Sequence, residues 1–162
     1  MYKYLTIFNF FADAFIKLSL GIIFFNYGIG KVSALLNGTA DSLVNMVTNM
    51  PFLGLFPLFF SWILALSEST AVFFLIYGLF SFLPFHNIIS RITGFVCLII
   101  STIIVYQHIF VWGDNIFPFG PFSFLNVSEQ GKPIFGQFLF IPMSLYILLN
   151  SKGYPSKIDE SK

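Results

Sequence analysis

The sequence predicts an all-α fold, a four-helix transmembrane bundle with N- and C-termini cytoplasmic, and three observations lead to it. The first is composition: hydrophobic residues make up 57% of the 162 residues, charged residues only 9%, and mean hydropathy is +0.85. A soluble domain carries about 25% charged residues, so a chain this poor in charge could not cover its own surface in water. The second is the presence of four apolar runs, each close to the roughly 20 helical residues needed to cross about 30 Å of hydrocarbon. The third is the placement of cations. Lys3, Lys17, Arg91, Lys152, Lys157 and Lys162 fall with the termini and the short middle turn, whereas Lys31 and Lys132 fall with the two longer loops. The positive-inside rule then places both termini in the cytoplasm.

The spans are expected at about 15–36, 55–80, 88–111 and 134–150, within one membrane domain covering residues 1–162. The runs lack the period-2 alternation of barrel strands, and backbone groups in lipid must be satisfied locally, so each is expected to be a helix. The last run is the shortest, and Gln137, Pro142 and Ser144 interrupt it; Pro142 is expected to kink it. Ahead of the first span, Tyr2, Tyr4, Phe8, Phe10 and Phe11 suggest an anchor lying in the interface. A rival reading makes the first span a cleaved signal peptide ending at Val32-Ser33-Ala34; Lys31 beside that site and the long aromatic segment before it argue against this. Residues 37–54 read as a polar link, 81–87 as a short turn, and 112–133 as a Phe-, Pro- and Gly-rich loop that could cap the bundle at the interface.

Net charge is +1 with no run of basic residues, so no nucleic-acid partner is expected. The lone Cys97 rules out an internal disulfide or a CxxC exchange pair, and no metal-binding spacing or phosphate loop is present. Redox chemistry would therefore need a bound cofactor or a partner.

Helical spacing puts Lys17, Gly21, Phe24, Gly28 and Lys31 on one face of the first span. Ser61, Ala65, Glu68 and Val72 share a face of the second, Arg91, Gly94, Cys97, Ser101, Ile104 and His108 a face of the third, and Gln137, Ile141, Ser144 and Leu148 a face of the fourth. Small and polar stripes of this kind mark the packed sides of membrane helices, and the glycine face also leaves a homodimer open. Glu68 stands apart, because a carboxylate near mid-membrane must be protonated, paired or wet. Lys31 could lean inward to meet it. Asn26 and Tyr27 lie deeper on the same helix, and His108 lies near the outer end of the third span. These five residues, Lys31, Tyr27, Asn26, Glu68 and His108, are the candidate binding residues, and Glu68, Lys31 and His108 the candidate catalytic ones.

The stretch Gly21-Ile-Ile-Phe-Phe-Asn-Tyr-Gly28-Ile-Gly30-Lys31-Val resembles the first helix of the DoxX family, an apolar helix ending in Gly-x-x-Lys. Glu68 with the following Tyr77-Gly78-Leu79, the turn into Arg91, the Gln107-His108 pair and the tail Lys152-Gly-Tyr-Pro-Ser-Lys-Ile-Asp159 are similar to the rest of that family's pattern. The long Phe-rich loop after Trp112 and the aromatic N-terminus depart from it. The resemblance implies a multi-pass protein of the bacterial inner membrane linked to redox or oxidative-stress systems, since the related DoxD and DoxA subunits form a thiosulfate:quinone oxidoreductase.

Two functions follow as expectations. One is a quinone-interacting component in which Lys31 and His108 hydrogen-bond quinone oxygens and Glu68 relays protons, with electrons arriving from a redox partner protein or subunit. The other is a non-catalytic scaffold that recruits a partner, with Lys31 and Glu68 as a structural pair. A small transporter is a third class, weakened by the absence of internal repeats.

Overall fold

The computed structural model describes residues 2–111 and 134–150, all helical apart from turns. In order these are α1 (Tyr2–Leu36), α2 (Asp41–Thr48), a 3-10 turn (Leu53–Leu55), α3 (Pro57–Tyr77), α4 (His86–Tyr106) running into a π-turn (Gln107–Val111), and α5 (Ile134–Asn150). Among the described residues, three stretches are long and apolar enough to cross a membrane: Ile7–Leu36, Pro57–Tyr77 and His86–Phe110; Phe138–Asn150 is a shorter apolar helix. The expected capping loop at 112–133 and the tail beyond 150 lie outside the described residues, as does the side chain of Gln137.

The N-terminus differs from expectation. The first residues are continuous with the first span: α1 begins at Tyr2 and runs 35 residues to Leu36, with no proline or glycine before Gly21. At 1.5 Å per residue that is about 52 Å, well beyond the thickness of a bilayer core. The helix stops where Gly38 takes a positive φ of 68°, letting the Thr39 amide donate back to the Ala34 carbonyl at 2.9 Å.

The supposed polar link holds a helix of its own. In α2, Leu43 and Val47 sit one turn apart on one side and are buried together with Ala40 and Met50, while Asp41 occupies the first turn, where the helix dipole favours an acid. With eight residues it is too short to register in a search for spans. Pro57 then opens α3 at a position where the missing amide hydrogen costs nothing. The turn after α3 is held by the Tyr77 hydroxyl, which donates to the Pro84 carbonyl at 2.9 Å, and closes through Phe85 in the left-handed region.

Helices α1, α3, α4 and α5 meet in one core built from Leu20, Phe24, Ala71, Leu75, Cys97, Ile100, Phe140 and Ile147. Phe24 and Phe140 stack edge to face with centroids 5.7 Å apart. The small-residue stripes do the close packing. A Cβ added at Gly28 would lie 2.3 Å from the Ser69 amide nitrogen, one at Gly21 3.0 Å from the Val72 Cα, and one at Gly94 2.9 Å from the Leu148 amide nitrogen. Backbone thus touches backbone between α1 and α3 and between α4 and α5, the way apolar helices associate when there is no water to expel. Arg91, expected on the α4 stripe, is exposed.

Candidate functional site

Helices α1 and α3 run antiparallel, with Gly21 against Val72 and Gly28 against Ser69. That register carries Lys31, one turn beyond Gly28, over Glu68. The lysine ammonium stands 2.5 Å from one carboxylate oxygen and 2.6 Å from the other, so it donates to both. Such charge-assisted bonds are among the strongest available to side chains. They are also needed here, because a buried carboxylate with no cation would carry a desolvation penalty of several kcal/mol.

The two partners differ in access. Glu68's side chain is 1% exposed and Lys31's 22%. Lys31 is thus the accessible member of the pair and Glu68 the buried one. Two of the three ammonium hydrogens point at Glu68, which leaves one donor available to a guest. The hydroxyls around Glu68 offer little to it. Ser69 donates to the Ala65 carbonyl at 2.8 Å and Thr70 to the Leu66 carbonyl at 2.7 Å, each turning back onto its own helix.

The other residues singled out from sequence are placed differently. Asn26 and Tyr27 are exposed, on the side of α1 turned away from the packed stripe, so the fold does not bring them to the Lys31–Glu68 pair. His108 is buried, as is its neighbour Gln107, and both lie in the π-turn that ends α4. Because α3 and α4 are antiparallel and α1 rises beside them, this turn belongs to the end of the bundle toward which Lys31 lies. Both polar atoms of the Gln107 amide are buried without a hydrogen-bond partner among the described residues, in a wide turn of a kind that recurs at functional sites. Among the described residues, no three His, Cys, Asp or Glu side chains gather into a metal site.

A second buried pair was not foreseen. Beside the C-terminal end of α3, Lys17 of α1 is 2.7 Å from the Asp13 carboxylate one turn earlier, and its ammonium also donates to the Gly78 carbonyl at 3.3 Å. The lysine side chain is fully buried. Ser90 packs against Gly78, and its hydroxyl, like the second Asp13 oxygen, is buried without a partner among the described residues. The Asp13-x-x-x-Lys17 spacing was present in the sequence, but an expected span starting at residue 15 left Asp13 outside it. Between the two ion pairs lies the apolar layer of Leu20, Phe24, Ala71 and Leu75.

No protein-family model matches the chain, and no curated protein and no solved structure matches it either. Class and site therefore rest on the fold alone: a helical protein with, among the described residues, three helices of membrane-spanning length and composition, in which Lys31 near the end of α1 pairs with Glu68 in the middle of α3.

Proposed function

We propose that this is a four-span protein of the bacterial inner membrane, with α1, α3, α4 and α5 as its spans and both termini cytoplasmic, that serves as the quinone-interacting component of a redox system. The observation that carries the reading is the unequal exposure of the Lys31–Glu68 pair. It amounts to a buried proton-exchanging acid behind a partly open hydrogen-bond donor, at the depth where a lipid-soluble carrier resides. A quinone supplies two-electron, two-proton chemistry when bound. The chain's own part is to donate a hydrogen bond from the Lys31 ammonium to a carbonyl oxygen, and to hold a proton at Glu68 while the local charge changes. His108 and Gln107, at the same end of the bundle, supply further polar groups. The electrons come from a partner subunit or a soluble donor, since Cys97 is solitary. The resemblance of the Gly28-x-x-Lys31 and Glu68 regions to DoxX proteins supports the same assignment, and the bias of Lys and Arg toward the termini and the middle turn supports the orientation.

The experiment is to purify the protein with its native lipid and assay the organic extract by mass spectrometry. A near-stoichiometric quinone, lost in Glu68→Gln and Lys31→Met variants that still fold, is the expected result. Folded wild-type protein that carries no quinone, and binds none when it is added, would overturn the proposal.

One observation favours a second reading, that of a scaffold without catalysis. Lys31 engages both carboxylate oxygens while Gly28, one turn away, abuts α3, so the pair also works as a lock on helix register. In that case the same two substitutions lower stability and displace no ligand.

A further inference from the structure

The placement of Asn26 has a physical consequence of its own. Gly28 abuts Ser69 in the middle of α3, so Asn26, two residues earlier, lies near the centre of the bundle's long axis. Its side chain is exposed and makes no hydrogen bond to any of the described residues. Across a bilayer such an amide would face hydrocarbon with two donors and an acceptor unmet, a cost that membrane helices relieve by hydrogen-bonding to another helix.

The surroundings indicate which helix. Ser19, Ile22, Asn26, Ile29 and Ser33 follow one another at alternating spacings of three and four, the seam of a two-helix contact, with the asparagine at its centre. Ile22, Asn26, Ile29 and Ser33 are exposed and Ser19 is half-buried. Beside them Gly30 has open space where a Cβ would go, which lets another backbone come near. Asp13, Lys17 and Lys31 all turn into the bundle, so this face of α1 shows no charge that would call for an oppositely charged partner. An amide is its own complement: each of two related by a twofold axis can donate to the other's carbonyl. The glycines that from sequence left a dimer open, Gly21 and Gly28, are consumed against α3 and cannot serve.

We propose that the protein is a homodimer in the membrane, joined along the outer face of α1 by reciprocal Asn26–Asn26 hydrogen bonds. This does not depend on the quinone reading.

The test uses the full chain in liposomes at decreasing protein-to-lipid ratio, with the dimer fraction read by single-molecule photobleaching. Wild type is expected to dimerise, Asn26→Leu to dimerise about 3- to 30-fold more weakly, and Asn26→Gln to retain most of the affinity. Oxidative cross-linking is expected for Asn26→Cys and not for Ile99→Cys, an exposed position on α4; the native Cys97 is fully buried and does not compete. Wild type that stays monomeric, Asn26→Leu that dimerises as well as wild type, or cross-linking at residue 99 in preference to 26 would each overturn the proposal. Thermal unfolding guards the comparison: Asn26 has no partner among the described residues, so a Leu variant that failed to fold would contradict its placement and count against the dimer seam too.

Discussion

Replacing Gly28 by alanine tests the α1–α3 contact that brings Lys31 and Glu68 together. The new Cβ would stand 2.3 Å from the Ser69 amide nitrogen, 2.7 Å from the Glu68 carbonyl carbon and 2.8 Å from the Ser69 Cα, all of them backbone atoms of α3. Ordinary van der Waals contact begins at 3.4 Å, so the helices must part by roughly 1 Å. Overpacking costs about 1–3 kcal/mol where flexible side chains can give way, and here none can, so about 3 kcal/mol is expected. The displacement falls one turn from Lys31 and stretches its bonds to both Glu68 oxygens as well. Gly30→Ala is the matched control: nothing lies within 4 Å of its added Cβ, and removing a helical glycine should stabilise by up to about 1 kcal/mol. Equilibrium unfolding in mild detergent, at dilutions that keep the chain monomeric, measures both. Equal stabilities for the two variants would refute the backbone contact and the register built on it.

Four further outcomes follow from the same packing. Lys31→Met strands a buried carboxylate and should cost about 3–5 kcal/mol, much of it recovered in Lys31→Met/Glu68→Leu; a double-mutant cycle by denaturant unfolding measures the coupling. Lys17→Met should likewise destabilise, by about 3 kcal/mol or less because the Asp13 side chain keeps 11% of its exposure, and Asp13→Asn in the same background should restore part of the loss. Tyr77→Phe removes one hydrogen bond at the turn into α4 and should lower stability by about 0.5–1.5 kcal/mol, read from the unfolding midpoint. Cys97, fully buried in the core, should react with a membrane-permeant maleimide only as fast as the bundle opens, so its labelling rate reports unfolding; rapid labelling of the folded protein would contradict the core assignment.

Much of this was legible in the residues, for identifiable reasons. Composition demanded apolar helices, and the apolar runs located α1, α3 and α4 to within a turn or two at most ends, because a span is a long and strong signal. The i, i+3, i+4 stripes foretold the buried faces of Gly28, Phe24, Glu68, Cys97 and Ser144, since helical spacing alone determines which side chains share a face. The meeting of Lys31 with Glu68 was open in the sequence. It depends on the antiparallel register of α1 on α3, a tertiary fact fixed by the Gly28–Ser69 contact. Asn26 and Tyr27 lie on the same helix as Lys31 and at useful depth, but depth does not determine azimuth: they sit about a quarter to a half turn around the helix from Gly28 and end up exposed. Helix α2 was hidden because eight residues carry too few turns for periodicity to stand out. The Asp13–Lys17 pair is hidden from an apolar-run reading because a span starting at about residue 15 leaves Asp13 outside it, whereas the helix continues through it.

The central claim is that the Lys31–Glu68 pair exchanges a proton with a bound quinone, and infrared difference spectroscopy of the quinone-loaded protein on electrochemical reduction addresses it most directly. The account predicts a buried carboxyl signal that responds to quinone reduction, shifts in heavy water and disappears in Glu68→Gln. A redox difference spectrum identical in wild type and Glu68→Gln would contradict it, and would leave the pair as a lock between two helices.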